Sequence, residues 1–72
     1  MSNVDHPAHY AGKVECIDAI EAATEGQPGP LAFCIGNALK YLWRVGKKGD
    51  ALEDLQKARW YVDRAISQLE SR

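Results

Sequence analysis

A chain of 72 residues has room for one domain, and a domain of that size buries only about 60 % of the surface it exposes when unfolded. Support from a disulfide, a metal or a partner subunit is therefore considered from the outset. A formal net charge of -1 provides no global drive toward nucleic acid or an anionic membrane, so any anion binding has to be local. No apolar run approaches the roughly 18 residues of a membrane span, and the polar stretch Met1 to Tyr10 does not read as a signal peptide. These features predict a cytoplasmic protein with neither membrane nor nucleic acid as its partner.

Residues 1–12 lack helical periodicity and are punctuated by Pro7 and Gly12, which predicts an extended arm. Over 13–24, Val14, Ile17 and Ile20 recur at three-residue intervals with Glu15, Asp18 and Glu21 turned outward, the pattern of a short first helix. Glu25-Gly26-Gln27-Pro28-Gly29-Pro30 ends that helix and starts the next. Over 30–45, Leu31, Cys34, Ile35, Ala38, Leu39, Leu42 and Val45 form an apolar pattern broad enough for a central helix packed on more than one side.

Gly46 suits a left-handed cap and Asp50 an N-cap with Glu53 as its capping-box partner. From 50 to 70, Leu52, Leu55, Ala58, Val62, Ala65, Ile66 and Leu69 make one long stripe, and the tight turn makes the second and third helices antiparallel neighbours. The predicted fold is all-α: a short helix plus an antiparallel helical hairpin with an extended N-terminal arm. Trp43, Trp60 and Tyr61 lie partly off the best stripes, and their placement predicts an interface and a homo-oligomer.

Cys16 and Cys34 cannot make a disulfide framework and read as buried small hydrophobes in a reducing compartment. A zinc site needs about four ligands, and only His6 and His9 would join the cysteines, so no metal site is assigned. No convincing Ser/His/Asp or Cys/His nucleophile arrangement is present, and no catalytic residue is assigned. Gly46-Lys47-Lys48-Gly49 follows a helix and lacks the phosphate-loop pattern; it reads as an interhelical turn, with phosphate contact by Lys47 or Lys48 as the alternative.

On the second helix Asn37, Lys40, Tyr41 and Arg44 share one face, and on the third Asp50, Asp54, Lys57 and Tyr61 do the same. The turn would bring the two faces together as a cleft for a phosphorylated nucleotide. Arg44 offers a planar fork, Lys40 and Lys47 offer point charges, Tyr41, Trp43 or Trp60 could stack on a base, and Asn37 or Asp54 could read its edge. The expected ligand residues are Asn37, Lys40, Tyr41, Arg44, Lys47, Asp54, Lys57 and Tyr61, with His9 and Tyr10 as a lid if the arm folds over the cleft. The alternatives are an ordinary solvated charged face, with Asp54 attracting Lys57, and an arm that docks on a neighbouring subunit.

The segments His6-Pro-Ala-His-Tyr10, Glu15-Cys-Ile-Asp18, Phe33-Cys-Ile-Gly-Asn-Ala-Leu-Lys-Tyr-Leu-Trp-Arg44, Gly46-Lys-Lys-Gly-Asp50 and Glu53-Asp-Leu-Gln-Lys-Ala-Arg-Trp-Tyr61 follow one another along the chain, and the resemblance that they carry extends over nearly all of it. In that order and spacing the chain resembles a family of short phage proteins known as SaV-like or nucleotide kinase-like. The resemblance implies a phage protein that handles nucleotides in the cytoplasm of the infected bacterium. It also implies two activities. One is nucleotide sequestration by an oligomeric sponge that takes up nucleotide-derived, including cyclic, immune signals and needs no cofactor. The other is a small nucleoside monophosphate kinase, which would use magnesium. Binding without chemistry asks less of so short a chain, so sequestration is placed ahead of the kinase. Inhibition of a host protein through Trp43, Trp60 and Tyr61 is a third reading.

Overall fold

The computed structural model describes residues 14–71. Three helices follow in chain order: α1 (Cys16–Thr24), α2 (Gly29–Arg44) and α3 (Ala51–Glu70). Among the described residues α2 packs on both α1 and α3, which do not meet each other, so α2 is the central element expected of its broad apolar pattern.

Val14 lies ahead of α1 and Glu15 caps it from extended backbone, so the first helix starts later than the spacing over 13–24 suggested; Lys13 lies outside the described residues. Thr24 closes α1 by turning its Oγ1 back to donate to the Ile20 carbonyl at 2.7 Å. Gly26 then takes a φ of 78°, which reverses the chain at no steric cost. Pro28 caps α2 from extended backbone and Pro30 occupies its first turn, where the missing N–H is no loss.

At the other end of α2, Gly46 adopts a φ of 75° as its cap role requires. Asp50 caps α3 by accepting a hydrogen bond from the Leu52 N–H at 2.9 Å. The expected capping box is not closed: the Glu53 carboxylate lies 3.6 Å from Lys57 Nζ, one turn along the surface.

The core is thin. Among the described residues Leu31, Cys34, Ala38 and Ala58 are the buried apolar ones, and Asp54 is buried beside them. Cys34 behaves as a small hydrophobe, its Sγ accepting from Gln68 Nε2 at 3.6 Å, whereas Cys16 is only half-buried. α1 buries no residue fully; Val14 and Ile17 stay 63 % and 51 % exposed, while Ile20 leans onto α2 at Gly36. Glycine there lets two helix backbones approach, since an added Cβ would lie 3.2 Å from Ile20 Cγ2.

The long stripe expected on α3 is two stripes. Asp54, Ala58, Tyr61, Ala65 and Gln68 turn inward, while Leu52, Leu55, Val62, Ile66 and Leu69 remain exposed. Small residues win the contact with α2 because they permit close helix approach, and the larger aliphatic side chains are rotated out of it.

Candidate anion-binding face

One flank of the α2–α3 hairpin gathers aromatic rings around Tyr61, which is half-buried between the helices. Tyr61 stacks on Tyr41 at 6.1 Å between centroids and 14° between planes. It meets Phe33 and Trp60 edge-on, at 6.0 Å and 5.0 Å. Phe33 and Tyr41 are eight residues apart on α2 and so share a face; Trp60 and Tyr61 project from the facing part of α3.

Three cations converge on the Tyr41 ring. Lys40 Nζ lies 4.6 Å, Lys57 Nζ 5.4 Å and Arg44 Cζ 5.8 Å from its centroid. Attraction to the ring quadrupole offsets part of their mutual repulsion. Their acidic partners are few: Glu53 pairs loosely with Lys57 in solvent, Asp54 pairs with Arg44, and Lys40 has no ion pair among the described residues. A solvated pair such as Glu53–Lys57 is weak and readily exchanged for another anion.

Arg44 and Asp54 have a particular geometry. Asp54 is 3 % exposed, and its Oδ1 lies 3.3 Å from Arg44 Nε. The approach is close enough for charge attraction but off-line, so that neither Nε nor Asp54 Oδ2 makes a hydrogen bond. Arg44 is 42 % exposed, with its terminal nitrogens making no hydrogen bond among the described residues. The buried carboxylate therefore anchors the inner edge of the guanidinium and leaves the outer fork available to an oxyanion.

Two shallow grooves flank Trp60 and Tyr61. One, of about 290 Å³, is lined by Tyr41, Lys57, Trp60 and Tyr61. The other, of about 330 Å³, runs along Phe33, Trp60, Tyr61, Arg64 and Gln68. Each is near the lower bound for small-molecule sites, roughly 300 Å³, and each pairs a ring face with a cation.

Lys40, Tyr41, Arg44, Lys57 and Tyr61 are thus brought together. Asn37 stands on the same side, but its Nδ2 is occupied by the Phe33 carbonyl at 2.9 Å. Asp54 lies beneath the face, paired with Arg44 and not with Lys57, because its position on α3 points into the α2 contact. Lys47 is exposed in the interhelical turn and takes no part in the ring contacts. His9 and Tyr10, the expected lid, and His6 lie outside the described residues. Phe33 and Arg64 were missed. Their signal was spacing alone, Phe33 four residues before Asn37 and Arg64 seven after Lys57. No group of three or more metal-ligating side chains occurs among the described residues.

Fold and face together define a small all-α protein carrying a cationic aromatic surface. The chain belongs to the DUF3310 family, described as proteins of unknown function, whose profile matches residues 4–63. It is also 40 % identical over 67 residues to the gene 1.7 protein of Enterobacteria phage T3, an alignment covering 86 % of this chain. The chain spans 40 % of the length of that phage relative. No solved structure matches it significantly. No helix among the described residues is long and apolar enough to cross a membrane.

Proposed function

We propose that this protein binds a phosphorylated nucleotide, linear or cyclic, on the Tyr41 flank and sequesters it unchanged in the cytoplasm of a phage-infected bacterium. The observation that carries the reading is the convergence of Lys40, Arg44 and Lys57 on one aromatic ring, with a single buried carboxylate among the described residues to balance them. Phosphate oxygens would take the outer fork of Arg44 and the two ammonium groups, while a base would lie against Tyr61 or Trp60 in the adjoining groove. Kinship with a phage protein supports the setting, and tight capture asks only for complementary binding.

The test is calorimetric titration with a panel of mono-, di-, tri- and cyclic nucleotides, followed by denaturation and mass spectrometry of the released compound. Sequestration requires a ligand recovered intact. A phosphorylated product formed from a triphosphate donor and magnesium would replace it with phosphoryl transfer. Neither binding nor turnover would refute the nucleotide reading and leave the aromatic surface as a protein-binding face. Arg44→Ala should weaken a bound nucleotide by roughly 1.5–3 kcal/mol, as expected for a charge-assisted hydrogen bond; unchanged affinity would remove this face from consideration.

A further inference from the structure

Leu52, Leu55, Arg59, Val62, Ile66 and Leu69 follow one another at alternating steps of three and four along α3, the spacing of a two-stranded coiled-coil seam. All six are exposed, the five aliphatic ones by 43 to 62 %. The contact with α2 uses a different stripe, and α1 does not reach α3. We infer that this seam pairs with the same seam of a second copy of the chain, antiparallel, to form a homodimer.

Two features select this occupant and this direction. The seam is palindromic: reversed on itself about its midpoint, it sets Leu52 against the partner's Leu69, Leu55 against the partner's Ile66, and Arg59 against the partner's Val62. Four of the five apolar positions then face an apolar residue, Val62 lies against the aliphatic stem of the partner's Arg59, and one surface serves both copies, as a twofold axis requires. The second feature is charge. Arg59 lies inside the seam and Asp63 on its border, and neither makes an ion pair among the described residues. The antiparallel arrangement sets Arg59 beside the partner's Asp63, twice by symmetry. A parallel arrangement in register would face Arg59 with the partner's Arg59, two cations in an apolar seam.

Over two copies the five aliphatic side chains alone would cover on the order of 900 Å², approaching the roughly 1,200 Å² at which specific interfaces begin. Flanking residues supply the remainder. This inference does not rest on the nucleotide reading, because the seam and the Tyr41 face use different sides of α3.

Sedimentation equilibrium of the full chain at tens of micromolar tests it. The wild type should sediment as a dimer or an even-numbered assembly, and Val62→Glu/Ile66→Glu should weaken self-association at least tenfold while circular dichroism remains helical. Charge variants provide a test that does not depend on a disrupted seam. Arg59→Glu and Asp63→Arg chains should each dissociate alone, since each then carries one sign at both positions, and should recover the dimer mass when mixed. Mild oxidation of mixed Leu52→Cys and Leu69→Cys chains, with the linked cysteines identified by mass spectrometry, should join position 52 to position 69. A monomeric wild type, charge variants that stay assembled alone or fail to associate when mixed, or predominant 52-to-52 links would each overturn the inference.

Discussion

Replacing Arg44 with methionine keeps an apolar stem over Tyr41 and removes the charge beside Asp54. That carboxylate is 3 % exposed and already has one oxygen without a hydrogen-bond partner. Breaking a buried ion pair by removing one member typically costs about 3–5 kcal/mol. Here the arginine side chain is 42 % exposed, so water already screens part of the attraction, and a loss of about 2 kcal/mol is expected. Asp54→Asn should cost less, about 1 kcal/mol, because the half-exposed guanidinium can rehydrate whereas the buried carboxylate cannot. The double variant Arg44→Met/Asp54→Asn should be more stable than Arg44→Met alone, since no unpaired charge is left inside. Urea unfolding followed by far-UV circular dichroism, at one fixed protomer concentration, measures all three. Arg44→Met within about 0.5 kcal/mol of wild type, or a double variant that loses the sum of the singles, would refute the reasoning.

Asp50→Ala should cost about 1 kcal/mol in the same unfolding assay, because it removes the acceptor for the Leu52 N–H at the start of α3. Gly36→Ala should stabilise by about 0.5 kcal/mol, the helical preference of alanine outweighing a close contact that Ile20 on the lightly held α1 can relieve; a loss above about 1 kcal/mol would show α1 to be rigidly seated. In calorimetric titration with a bound nucleotide, Lys40→Ala or Lys57→Ala should weaken affinity about fivefold, near 1 kcal/mol for a charged contact, whereas Lys47→Ala should change it less than about twofold because Lys47 stands outside the cluster. Equal effects of all three would indicate a diffuse field in place of a site.

Helix number and approximate limits were legible in the sequence because they depend on local chemistry. Proline cannot continue a helix, glycine alone takes the positive φ at Gly26 and Gly46 without strain, and Asp50 caps by accepting from an N–H only two residues along the chain. The shared face of Lys40, Tyr41 and Arg44 on α2 was legible for the same reason, since helical spacing is fixed once the helix is, whereas the approach of Lys57 from α3 to the Tyr41 ring depends on how the two helices meet. What spacing could not decide was rotation. The inward stripe on α3 from Asp54 to Gln68 and the outward stripe from Leu52 to Leu69 have nearly the same period and differ only in which side of the helix they mark.

Hydropathy favours the outward stripe for burial, since it is rich in leucine and isoleucine, yet the contact with α2 goes to alanines and a carboxylate. That outcome depends on facing side chains. Ala38 and Ala58 permit close approach of the two helices, and Arg44, which comes from α2, supplies the charge that makes a buried Asp54 tolerable. Local chemistry therefore determined the helices and their ends, and tertiary structure decided which faces met, because a close contact and a countercharge exist only after two distant stretches of chain come together.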